Sequence, residues 1–178
     1  MDRDTSDHDL MLGVRRGSVA AFEELFRRYE QPVWGYFRRR LREAARAEEL
    51  TQETFLAVLR GAERYEPRAT FRTYLYGIAF NLLSADRRGT RTAADPLSHD
   101  IAGAVPSIDN DLWLRQAIGR LDEIDRAVVL LREFEQLSYV EIAAVLDVPI
   151  NTVRSRLFRA REALRRLLIP ETARASNG

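Results

Sequence analysis

The sequence predicts an all-α protein, built as two small helical domains joined by a flexible linker. Three observations carry this. Apolar residues recur at helical spacing through most of the chain, no stretch alternates apolar and polar residues as a half-buried strand does, and one segment in the middle breaks the pattern. That segment, TAADPLSHDIAGAVPSIDND, holds two prolines and no arginine, the composition of a linker. The expected organisation is a first domain over 1–91, a linker over 92–111, a second domain over 112–170 and a short tail over 171–178. A chain of 178 residues is long enough for two such units, each with a modest core.

In the first half, Gly17-Ser18 closes one short helix and caps the next, on which Phe22, Leu25, Phe26, Tyr29, Val33, Tyr36 and Phe37 keep helical spacing. Pro32 should kink this second helix, since an interior proline costs about 3 kcal/mol unless the helix bends or packing compensates. A third helix covers about Ala44 to Ala62. A fourth starts near Thr70, after the loop EPRA, and runs to RRGTR. In the second half, helices resume at Leu112 and continue to about Leu168. There Ser138 and Glu141 form an S-x-x-E capping box that starts a helix pointing Ile142, Val145 and Leu146 into a core. Asp147-Val148-Pro149 breaks it, and the last helix follows. The C-terminal half as a whole resembles a helix-turn-helix.

Composition excludes several classes of function. The chain has no cysteine, which removes disulfides, thiolate zinc sites and cysteine nucleophiles and suits a reducing cytoplasm. No run approaches 18 apolar residues, and the N-terminus MDRDTSDHDL is acidic and polar where a signal is basic then apolar, so a soluble cytoplasmic protein is expected. The two histidines, His8 and His99, fall in the N-terminal tail and the linker, no glycine loop can cradle phosphate, and the carboxylates are dispersed along helices. No catalytic site, cofactor, metal site or small-molecule substrate is expected. Net charge is only +1, yet all 28 basic residues are arginine, which fits either codon bias or selection for the guanidinium fork that grips phosphate and guanine.

Three helix faces stand out. Projecting the last helix at 100° per residue puts Val153, Leu157, Ala160, Leu164, Leu167 and Leu168 on one side and Arg154, Ser155, Phe158, Arg159 and Glu162 on the other. Six arginines and one glutamate lie between Pro149 and Leu168, and the first turns of such a helix reach base edges in a helix-turn-helix. The plainer alternative is an amphipathic helix with a solvated arginine face. On the fourth helix, Phe71, Leu75, Ile78 and Leu82 are expected inward and Thr73, Tyr76, Phe80, Ser84 and Arg87 outward. Exposed aromatics beside arginine suit unpaired bases, unless Tyr76 and Phe80 pack under a neighbouring helix. On the third helix, Glu49, Gln52, Glu53, Leu56 and Arg60 share one stripe, either a protein-docking face or an ordinary solvated one.

The segments AAFEELFRRY, AEELTQETFLAVLR, FRTYLYGIAFNLL and LSYVEIAAVLDVPINTVRSRLFRARE, in this order and spacing, together resemble the extracytoplasmic-function sigma factors, the two-domain promoter-recognition subunits of bacterial RNA polymerase. The resemblance spans Asp9 to Leu168. It implies that Glu48, Glu49, Gln52, Glu53 and Leu56 dock on the polymerase clamp helices. It also implies that the loop from Tyr65 to Thr70 captures a flipped base of the minus-ten element, with Arg72, Tyr76, Phe80, Asn81, Arg87 and Arg88 on the melted strand. Ser138, Tyr139, Thr152, Arg154, Ser155, Arg156, Phe158 and Arg159 then belong to the helix-turn-helix that reads the minus-thirty-five duplex. Implied partners are core RNA polymerase and promoter DNA, with an anti-sigma protein common in the family and no membrane. Departures from the family pattern are Asp147 and Gln136 for glycine, Tyr74 for tryptophan, Asp122 for proline, and Ala85 for an aspartate, with Asp86 following. A stand-alone helix-turn-helix regulator is the competing expectation; it needs neither the acidic stripe nor an exposed aromatic helix.

Overall fold

The computed structural model of the chain describes residues 5–41, 43–93 and 109–168, and every regular element among them is helical. The fold divides into two compact units, one built on helices α1 to α4 and the other on α5, α6, α8 and the first part of α7, Ala144–Leu146 being grouped with the first.

In the first unit, Ser6 caps α1 (Asp7–Arg15) by accepting from the Asp9 backbone N–H at 3.1 Å, and Asp7 and Asp9 place negative charge where the helix dipole favours it. Gly17, at φ +84°, supplies the left-handed turn that a side chain resists, and Ser18 then caps α2 (Val19–Arg38). Helix α2 continues through Pro32. Gly13 allows the close crossing of α1 and α2, since a Cβ there would stand 2.8 Å from that of Ala21. Helix α3 (Ala44–Gly61) ends in a 3-10 turn, Ala62–Arg64. Thr70 accepts from the Thr73 N–H at 3.2 Å and starts α4 (Phe71–Ala93), which runs past RRGTR into the first two residues of the expected linker. The core of the unit gathers Met11, Leu25, Phe37, Leu50, Val58, Leu75 and Leu83. The α1 entrance is pinned by Asp7, which accepts from Arg28 at 2.8 Å and from the Tyr29 hydroxyl.

In the second unit, α5 (Asp109–Gly119) begins three residues before Leu112. Asp122 caps α6 (Glu123–Val129) from the position where the family carries proline, and the helix widens into a π-helical turn, Leu130–Phe134. Arg126 closes the end of α5 by donating to the carbonyls of Ile118, Gly119 and Leu121. Both halves of the expected capping box form at α7 (Tyr139–Leu146): the Glu141 N–H reaches the Ser138 hydroxyl at 3.3 Å and the Ser138 N–H reaches the Glu141 carboxylate at 2.8 Å. Ile142, Val145 and Leu146 are buried as expected. On α8 (Ile150–Leu168), Val153, Leu157 and Ala160 are buried, but Leu164 and Leu167 are only half-buried and Leu168 is exposed. The expected core stripe therefore covers the first half of that helix. Residues 94–108 of the expected linker and the tail over 171–178 lie outside the described residues.

Asp147 takes the left-handed conformation, φ 51° and ψ 52°, as the residue after α7, and Gln136 does likewise at φ 57°. A non-glycine residue there carries a strain of about 1 kcal/mol. Asp147→Gly is expected to raise the midpoint of the second unit's thermal transition by about 4 °C or more, followed by circular dichroism.

Candidate functional site

The start of α8 presents a clean outward face. Arg154, Ser155, Phe158 and Arg159 are all exposed, and Phe158 keeps 68% of its surface in water. Arg154 lies over Asn151 at 3.2 Å, Thr152 and Tyr139 are half-buried, and Ser138 is exposed at the start of α7. Arg156, also expected among the reading residues, does not share this outward face. It turns toward α6 and donates to Asp122 at 2.8 Å and Asp125 at 3.2 Å, while Arg161 reaches Glu133 at 2.6 Å. Helical phase explains the division, because 156 lies two residues from both 154 and 158 and so faces the core edge. Partial burial pushes the Asp122 carboxyl up, but the Asp125 backbone N–H and Arg156 outweigh it and hold the pKa below its ordinary value.

The stripe on α3 is exposed as expected: Glu48, Glu49, Gln52, Glu53 and Arg60 face solvent, and Leu56 is 47% exposed among them. Sequence reasoning missed Arg46, whose guanidinium joins this stripe to Asp86 of α4. It meets Glu49 at 2.6 Å, Glu53 at 3.5 Å and Asp86 at 2.7 Å. An arginine three residues before a glutamate is too common a pattern to single out, and Asp86 is distant in sequence.

Helix α4 is turned from its expected phase. Its buried stripe is Phe71, Leu75, Tyr76, Ala79 and Leu83, while Ile78 and Leu82 are half-buried. At 100° per residue this is a rotation of about 60° from the expected inward side. Tyr76, expected outward, is 1% exposed and packs edge-on against Tyr36 with ring centroids 5.6 Å apart; Thr73 is buried too. The cause is neighbours on several sides: α1, α2 and α3 all pack on α4, so burial extends beyond one narrow stripe. Phe80, Arg72 and Arg87 are half-buried, and Asn81 and Arg88 remain exposed, so the outward side runs through Asn81, Ala85 and Arg88.

Tyr65 is likewise buried, at 3%, between Tyr74 at 5.2 Å and His8 at 6.2 Å between ring centroids. Its ring is enclosed by these neighbours, and burial pushes its hydroxyl pKa up. Residues 66–70 after it are exposed, with Arg68 paired to Glu66 at 2.6 Å. Among the described residues no cluster of three or more histidines and carboxylates could hold a metal.

Two tests follow from this geometry. Tyr76→Ala is expected to destabilise the first unit by about 3 to 5 kcal/mol in denaturant titration, whereas Asn81→Ala should stay within about 0.5 kcal/mol of the parent. A carboxylate whose folded pKa is depressed stabilises fully above its unfolded value, here 3.8, and loses that contribution as the pH falls below it. Asp122→Asn, which keeps a capping oxygen, should therefore flatten the acid limb of the second unit's stability curve.

Comparison with known proteins gives these surfaces a common context. Residues 25–92 match the family described as Sigma-70 region 2, and residues 111–164 match Sigma-70, region 4. The chain is 34% identical to the RNA polymerase sigma-H factor of Pseudomonas aeruginosa, covering 92% of this chain and 94% of that protein. It is also 34% identical to the ECF RNA polymerase sigma-E factor of Escherichia coli K12, covering 92% and 95%. Among solved structures, CnrH in complex with the cytosolic domain of CnrY is similar in fold, at a TM-score of 0.74 and 24% identity over 92% of this chain and 97% of that one. The sigma factor RpoE in complex with the anti-sigma factor NepR from Bartonella quintana follows at 0.73 and 21% identity over 84% and 98%. With both sigma-70 regions in order and relatives matched almost end to end, the chain belongs to the extracytoplasmic-function sigma factors, which direct promoter-specific initiation by bacterial RNA polymerase.

Proposed function

We propose that the chain divides its work by helix: α3 docks on the clamp helices of core polymerase, α4 and the loop over 66–70 engage the opened minus-ten strand, and α8 reads the minus-thirty-five duplex. The observation that carries this is the simultaneous exposure of two chemically opposite faces, the acids around Leu56 on α3 and the arginines around Phe158 on α8. Glu48, Glu49, Gln52 and Glu53 suit a basic protein surface, with Leu56 as apolar centre. Arg154, Ser155, Phe158 and Arg159 suit base edges and a thymine methyl, with Ser138, Tyr139 and Thr152 toward phosphate. Arg156 supports this face from behind through Asp122 and Asp125. On α4 the contacts with the melted strand fall to Asn81 and Arg88, flanked by Phe80, Arg87 and Arg72, while Tyr76 and Tyr65 hold the helix and loop in place. The stand-alone regulator gives no reason for the acidic face of α3.

The protein works without catalysis of its own and in the cytoplasm, where polymerase is; no described helix is long and apolar enough to cross a membrane. An anti-sigma protein is a further partner, by analogy with the Bartonella quintana complex.

A Glu49→Arg, Glu53→Arg double variant should fold normally by circular dichroism, keep the duplex affinity of α8, and lose core polymerase by more than tenfold, since breaking desolvated interfacial charge pairs costs about 2 to 5 kcal/mol. Arg154→Ala and Arg159→Ala should do the reverse, each costing about 1 to 3 kcal/mol of duplex binding with polymerase affinity intact. Undiminished polymerase binding by the double variant removes the docking face, and unchanged sequence preference in both arginine variants removes the groove assignment.

A further inference from the structure

Arg46 occupies the first turn of α3, where a cation opposes the helix dipole and where this helix has neither an acidic residue nor a side-chain cap. Three carboxylates compensate. Its Nε and Nη2 face Asp86 at 2.8 and 2.7 Å, and its Nη1 faces Glu49 at 2.6 Å and Glu53 at 3.5 Å. The two ends of the guanidinium differ in kind. The Asp86 side chain is 16% exposed and takes two nitrogens; the Glu49 and Glu53 side chains are 59% and 46% exposed and share one. Leu50, Leu82, Ala85 and Gly89 line the groove between α3 and α4 where Asp86 Oδ1 meets Nε and Nη2. A pair whose carboxylate is mostly covered persists longer than fully exposed pairs, which exchange at little cost.

We propose that Asp86 is a positioning residue that holds Arg46 against α4 and so keeps Glu49 and Glu53 available to a basic partner surface. The proposal rests on reading α3 as the polymerase-docking face. Arg46 faces three carboxylates, and the two on α3, Glu49 and Glu53, are the exposed ones. Once Asp86 loses its charge, the whole guanidinium fork can close over Glu49 and Glu53. An incoming arginine or lysine then has to displace a bidentate internal competitor, where before it displaced a single shared nitrogen. A tie that only braced α3 against α4 behaves differently: losing Arg46 would harm docking as much as losing Asp86, and losing both would restore nothing.

The test uses the full-length chain and core polymerase, with equilibrium affinity read by fluorescence anisotropy at about 0.1 M salt, where surface charges still act over roughly 10 Å. Asp86→Asn should bind about fivefold more weakly than the parent, the scale of one exposed ion pair. Arg46→Gln should bind at least as tightly as the parent, and Arg46→Gln with Asp86→Asn should regain most of the loss. Parent-like affinity in Asp86→Asn overturns the proposal, and so does a double variant of native helicity that binds as weakly as Asp86→Asn. Either result leaves the docking face standing. Unchanged binding in Glu49→Arg, Glu53→Arg instead removes the face and this proposal with it.

Discussion

The edge-on contact of Tyr76 with Tyr36 fixes which side of α4 meets water, and the functional reading of the first unit depends on it. Tyr36 is itself buried, and Arg40 lies 5.1 Å from its ring centre while donating to its hydroxyl at 2.6 Å. Two large rings meeting edge-on with a guanidinium beside them leave α4 little rotational freedom, because a core at native density does not accommodate a tyrosine in a second orientation without strain. With Tyr76 inside, Asn81, Ala85 and Arg88 must lie outside. The outward side of α4 is therefore polar and cationic, with Phe80 at its border, and Tyr76, expected outward, lies inside.

Arginine does the same sorting in both units. Arg28 pins the start of α1, Arg126 closes the end of α5, and Arg156 and Arg161 tie α8 to the α6 segment. A guanidinium suits these posts because its fork satisfies carboxylates and several carbonyls at once. The arginines on the outer face of α8, Arg154 and Arg159, are exposed and oriented by the same packing. A chain that uses arginine for every cation thus cannot be read by counting cations. Phase on the helix decides which of them face solvent and which tie helices together.

Much of this was legible in the sequence. The caps at Ser18 and Ser138, the breaks at Gly17 and Asp147, the exposed acids of α3 and the outward Arg154, Ser155, Phe158 and Arg159 all follow from local rules, since each depends on residues within two turns of one another. What escaped was set by distant contacts. Tyr76 and Tyr65 went inside because neighbouring helices cover them, and no local pattern records that cover. Asp86 found Arg46, forty residues away, and Arg156 found Asp122 and Asp125 across the second unit. Asp122 was legible as a cap but not as an ion-pair partner, and the burial of α8 fades after Ala160 although its apolar spacing continues.

The phase of α4 is the claim on which the proposed strand-binding surface rests, and the absence of cysteine from the chain makes it directly measurable. Ala79 is fully buried and Ala85 is exposed, although the phase expected from apolar spacing turns Ala85 inward beside Leu82 and Leu75. Each alanine accepts a cysteine with little change in volume. In the free native protein, the thiol of Ala85→Cys should react with a disulfide reagent at nearly the rate seen in denaturant, and that of Ala79→Cys should be slowed by orders of magnitude. A protected thiol at 85 with a reactive one at 79 would contradict the account.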